Sequence, residues 1–152
     1  MPECGTEFSL LRDKKLDERM SEAAHADAFS KLSDLMAKAR AGKIDFESRN
    51  PDAKVMELPG YAYIIELRPK KGAATVFGKP ARLVRLYYAE PLWLTDQLVA
   101  LHLATKPDGQ DVNSEQNAAI REAGYRADGW SLYSKQLATG KEKANGTDDA
   151  IQ

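Results

Sequence analysis

Cysteine is nearly absent from this chain of 152 residues. Cys4 stands alone, so no internal disulfide can form, which favours a reducing compartment. One thiol cannot build a metal site, since such sites need several converging ligands. Histidine is almost as scarce. His25 and His102 have no third ligand at a metal-site spacing, so no metal is implied. Long apolar runs are missing too. Nothing approaches the roughly 20 residues that span a bilayer, and a membrane partner is not expected. The opening stretch MPECGTEFSLLRDKK lacks the charged-then-apolar layout of a secretory signal, so a cytoplasmic location is expected. Finally, charge of one sign is lacking. The formal net charge is −1, which argues against a uniformly basic nucleic-acid binder.

What is present is enough apolar residue for one packed core, 43% of the chain, in a length typical of one domain. Charge is unevenly spread. Residues 61–106 carry seven Lys/Arg against three Asp/Glu, between two acidic flanks. That pattern fits a local basic patch. The alternation in TEFSLL (Thr6–Leu11) predicts a short first strand, and Leu11–Ala24 a helix with a narrow stripe of Leu11, Leu16 and Met20. Ala28, Phe29, Leu32, Leu35, Met36 and Ala39 recur at the spacing of one helical face, with Gly42 as the stop. Residues 44–60 read as a connection rich in turn formers.

Three strands are predicted next. Tyr61–Arg68 puts Glu66 and Arg68 on one face. Arg82–Ala89 puts Arg82 and Arg85 on opposite faces. Leu98–Thr105 is apolar on both faces and reads as a central strand, with His102 sharing a face with Leu98, Ala100 and Ala104. Pro69–Pro80 is long for a hairpin link. A helix is predicted from Ser114 to about Ala123, with WSLYSKQL adding another turn or two. Residues 138–152 are polar and read as a disordered tail behind a single domain spanning 1–137. The fold class is therefore α+β: a small antiparallel sheet of three or four strands, packed by N-terminal helices and a C-terminal helix.

The segments MELPGYAYIIELR, ARLVRLYYAE, LVALHLATKPDG and SEQNAAIREA occur in that order. Together they resemble the RelE/ParE superfamily of bacterial toxins, in particular the HigB-like branch. The likeness covers roughly Thr6 to Arg126 and lies in order and spacing, since each piece is short. It implies a RelE-like fold and the toxin component of a toxin–antitoxin pair. Such a toxin is an mRNA-cleaving ribonuclease acting on the ribosome, with an antitoxin protein as its partner. No cofactor is needed for that chemistry, because the RNA 2′-hydroxyl is the nucleophile and side chains supply acid, base and phosphate clamp.

The candidate catalytic residues are Arg68, Arg82, Glu66, His102 and Lys106. A guanidinium holds a phosphate by paired hydrogen bonds and stabilises charge developing on phosphorus. By resemblance, Arg82 corresponds to the family's arginine on the scissile phosphate, while Arg85 reads as surface or partner interface. His102 has the chemistry of a general acid or base, against the plainer reading of a core histidine. Lys106 stands where the family often has a lysine pair, but its neighbour here is Pro107, and the following loop has no Arg or Tyr. Glu66 replaces a lysine of several ribosome-dependent members. These departures favour an alternative: a RelE-like binding module without nuclease activity, whose partner is an antitoxin, gyrase or another protein.

Overall fold

The computed structural model of this chain describes residues 2–13, 19–70, 72, 76–79, 81–94, 97–108 and 113–145. Three helices and a five-stranded antiparallel sheet form an α+β fold. Helix α1 spans Pro2–Leu10 and α2 spans Glu22–Arg40. Strands β1 (Ala53–Val55), β2 (Ile64–Leu67), β3 (Val76–Phe77), β4 (Arg82–Ala89) and β5 (Val99–Pro107) follow, and α3 (Asn113–Asn145) comes last. Two of these strands, β1 and β3, arise inside segments that read as connections.

The segment expected as a first strand is helix α1. Its apolar residues obey the longer period: Phe8 and Leu11 are buried and Cys4 packs against the same core, whereas Leu10 faces out. The helix expected over Leu11–Ala24 is instead a turn at residues 11–13 and an extended lead into α2, with 14–18 outside the described residues. The Met20 N–H donates to Leu11 O (2.9 Å) and closes this connection. Ser21 then caps α2, its Oγ accepting from the Ala24 N–H. Gly42, at φ 64°, ends the helix as expected. The buried stripe is Ala28, Leu32, Leu35 and Ala39. Phe29, one position further round, is 61% exposed rather than in the core.

β4 is the central strand. β5 pairs along one side of it, while β3 and β2 pair with its start and its end on the other side, and β1 flanks β2. The Leu-Pro-Gly break before β2 is a tight turn. The Tyr61 N–H donates to Leu58 O (3.0 Å) and Gly60 takes φ 83°, the positions that Pro and Gly occupy in a type II turn.

β5 is an edge strand among the described residues, not the central one that its two apolar faces imply. It is apolar on both sides because each face of the sheet carries its own core. Phe8, Leu32, Leu86 and Leu103 pack on the α1/α2 side. Val99, Leu101, Ile120 and Ala123 pack on the α3 side. A bulge makes this possible. Tyr87 opposes His102 while Tyr88 opposes Ala100, so Leu101 is the extra residue and the alternation breaks there. Leu103 therefore joins the core containing Leu32, while Val99 and Leu101 belong to the α3 core instead.

α3 is much longer than expected, running unbroken through Gly124 and Gly129. A Cβ on Gly124 would sit 2.3 Å from Tyr61 Cε1, so glycine at this position lets the helix approach the turn before β2. The helical backbone extends past residue 138, where the sequence reads as a tail, and 146–152 lie outside the described residues. No helix among the described residues is long and apolar enough to cross a membrane.

Candidate functional site

Glu66 is 1% exposed and lies on the α3-facing side of the sheet. A carboxylate so buried needs compensation for lost water. Tyr87, directly across on β4, donates its hydroxyl to Glu66 Oε2 (3.1 Å), and Gln116 in the first turns of α3 donates Nε2 to the same oxygen (2.8 Å). Oε1 faces Arg85 Nε at 3.2 Å and Arg68 Nε at 3.6 Å. Strand register explains this gathering. Glu66 opposes Tyr87, so Arg68, two residues on, shares its face with Arg85, two residues back along β4. On β5, Ala104 opposes Arg85, and Lys106 extends the same face.

Arg85 is 4% exposed, which corrects the expectation of a surface residue. Its NH1 donates to Val84 O (2.7 Å). Its Nε is close enough to Glu66 for an ion pair but is aimed too poorly to make a hydrogen bond. Burial loosens the hold of Arg85 on its proton, and Glu66 counters that. Burial likewise lowers the Lys106 pKa. Glu66 pulls it up, while Arg85 and Arg68 push it down further. Burial and then the Glu66 charge raise the Tyr87 pKa, so this phenol stays a donor.

Two guanidiniums, of Arg68 and Arg85, pair with this one carboxylate, and Lys106 lies near enough for all three charges to act on it. Beside them opens a pocket of about 660 Å³, lined by Arg49, Asn50, Arg68, Pro69 and Arg85. Arg49 and Asn50 come from the loop after α2, and no local sequence signal places them here. Asp45 shapes that loop by accepting the N–H groups of Glu47 (3.0 Å) and Ser48 (3.1 Å). Hydrogen bonds from Ser48 and from the Glu47 N–H hold its carboxyl below the usual range. Among the described residues the pocket's charged lining is wholly cationic, and it suits an anion with several oxygens.

Of the five residues expected at the site, Glu66 and Arg68 meet here, while Lys106 is on the same sheet face, within reach of their charges but not lining the pocket. Arg82 does not meet them. It donates Nε to Thr105 Oγ1 (2.9 Å) and NH2 to Thr105 O (3.0 Å), and pairs with Glu115, tying the end of the β4–β5 ladder to α3. His102 belongs to a separate cluster around Glu7. Glu7 Oε1 accepts from Arg126 NH2 (2.7 Å) and lies 2.8 Å from His102 Nδ1, while Oε2 accepts the Leu103 N–H (2.8 Å). An ionised carboxylate can only accept, so His102 carries a proton on Nδ1. Arg126 NH1 also donates to Leu101 O (3.0 Å). Side chains from α1 and α3 thus satisfy the free edge of β5 next to its bulge, a guard against edge-to-edge pairing. Burial alone would raise the Glu7 pKa, but the bonds from Arg126 and Leu103 and the His102 charge outweigh it and leave it lowered.

The fold and this site define an α+β protein with a buried carboxylate–guanidinium network beside a cationic pocket. Comparison with protein-family models, with curated proteins and with solved structures found no match for the chain.

Proposed function

We propose that this protein is a RelE-like toxin that cleaves mRNA on the ribosome without a metal, and that the pocket beside Glu66 holds the scissile phosphate. The observation carrying this reading is the pairing of Arg68 and Arg85 with one buried carboxylate, beside a pocket that both arginines line together with Arg49. In this reading Glu66 is a positioning residue. Both its oxygens are engaged, and it holds Arg68 and Arg85 in place. Arg68 and Arg49 contact the phosphate. Lys106, whose lowered pKa makes its neutral form more accessible than in a free lysine, accepts the 2′-hydroxyl proton. The 2′-oxygen bonds to phosphorus as the bond from phosphorus to the 5′-oxygen breaks, and the departing oxygen takes a proton from solvent. The products are a 2′,3′-cyclic phosphate and a 5′-hydroxyl end.

A second reading, a RelE-like binding module that recognises an antitoxin, gyrase or another protein, is favoured by one observation. Glu66 is fully occupied and His102 is turned to Glu7, so proton transfer rests on Lys106 alone. Induced expression separates the two. Growth arrest with shortened mRNA, relieved by Arg68→Ala, supports the ribonuclease; losing one contact to the developing charge typically costs about a hundredfold or more. Arrest with intact mRNA supports the binding reading. Absence of arrest from soluble, folded protein overturns the toxin reading.

A further inference from the structure

On the side of the molecule where α3 meets the β4–β5 connection lies a second pocket, of about 320 Å³. Its walls include Tyr63, Trp93 and Trp130, and its lining also holds the carboxylates of Glu90 and Asp128. Trp93 and Trp130 stack with ring centroids 6.1 Å apart. They are the only two tryptophans in the chain. Among the described residues no cation lines this pocket, though Lys135 stands over the Trp93 ring at its margin. Both carboxylates are exposed, and neither has an ion-pair partner among the described residues. Asp128 faces Tyr63, whose pKa is raised by burial and then by the Asp128 charge. This is the inverse of the Glu66 site: aromatic faces with acidic groups, and no basic group among the described lining residues.

Aromatic faces attract cations through their quadrupole, most strongly for Trp. The molecule already uses this, since Lys135 Nζ sits 4.8 Å over the Trp93 ring. The surface around the pocket is also unusually apolar. Leu92 is 91% exposed and Trp93 47% exposed, and Leu132 and Tyr133 follow exposed on α3. Exposed apolar side chains on a pocket wall, here Leu92 and Trp93, suit a protein contact, and charge complementarity specifies what enters the pocket.

We propose that this pocket receives an arginine or lysine side chain presented by a partner polypeptide, its charged head against Glu90 and Asp128 and its stem against the two tryptophans. The site is independent of the Glu66 pocket and of the activity proposed for it.

Because both tryptophans line the pocket, their emission reports on it directly. The full chain is titrated with N-acetyl-argininamide, and in parallel with N-acetyl-citrullinamide, which has the same shape without the charge. A saturable change in emission is expected with the arginine probe in the millimolar range, as suits so small a ligand, and little change with citrulline. Glu90→Gln with Asp128→Asn should weaken binding by about tenfold, the scale of losing exposed charge pairs, while leaving thermal unfolding unchanged. Arg68→Ala should leave binding unchanged. Equal responses to both probes, no saturable response to either, or full binding by the Gln/Asn variant would overturn the proposal.

Discussion

Arg85 on β4 holds its Nε 3.2 Å from Glu66 Oε1 on β2, with both residues almost wholly removed from water. Such a pair fixes the strands' relative position because neither partner tolerates losing the other. Removing only one, by Glu66→Gln or Arg85→Met, should cost about 3–5 kcal/mol in denaturant melts, the scale for an uncompensated buried charge. Replacing both with apolar residues of similar volume should recover much of the loss. Single variants within about half a kcal/mol of wild type, the level of surface substitutions, would show that the pair is not buried.

Lys106 should separate stability from function. Folding lowers its pKa, so the charged amine is disfavoured in the native state and the unfolded chain binds more protons as pH rises. Stability contributed at this position therefore increases as pH rises through the folded value towards the unfolded one, about 10.4. Lys106→Met should be as stable as wild type or more so at neutral pH, with the difference shrinking in alkali. A variant that is less stable at neutral pH, with the deficit constant across this range, would contradict the assignment.

Glu7 should act as an acid-labile clasp for α1. Its pKa is lowered on folding, so its contribution is present above the unfolded carboxylate value, about 4.3, and is lost as pH falls through the folded one. Protection of the Leu103 amide from exchange, relative to its intrinsic rate at each pH, should fall on acidification before that of the core amides of β4, because its N–H donates to Glu7. Glu7→Gln should show faster Leu103 exchange already at neutral pH. Unchanged protection in that variant would mean that α1 is held by other contacts.

Gly124→Ala adds a methyl group in the space occupied by the Tyr61 ring. Alanine is the better helix former by about 1 kcal/mol, yet the substitution should destabilise the protein, since overpacking typically costs about 1–3 kcal/mol. Truncating Tyr61 to Ala in the same chain should reverse the sign. A stabilised single variant would show that α3 does not approach this turn.

Periodicity made α2, β4 and the α+β class legible. The stripe from Ala28 to Ala39 and the stop at Gly42 are local signals, and β4 has the predicted bounds. α1 was misread because six residues of TEFSLL fit alternation as well as they fit a helix, and the helical partner, Cys4, lies just before them. The β5 bulge was invisible, since one extra residue leaves no mark on composition but moves Leu101 to the other core. At the site, Glu66 and Arg68 were recognisable as charges on one strand face. Arg85 was not, because its partner is set by cross-strand register, which one sequence does not encode legibly. Arg49 and Asn50 reach the pocket through a loop whose path depends on the Asp45 turn. Arg82 and His102 have suitable chemistry, but their partners, Glu115 and Glu7, lie in distant segments.

The most direct test of the proposed activity uses purified protein, a translating ribosome mixture and an end-mapped message in the presence of EDTA. The account predicts internal cuts that leave 2′,3′-cyclic phosphate and 5′-hydroxyl ends, reduced about a hundredfold or more by Arg68→Ala and strongly by Lys106→Met, with both variants folded. An intact message with wild-type protein, or equal cutting by all three proteins, would contradict it.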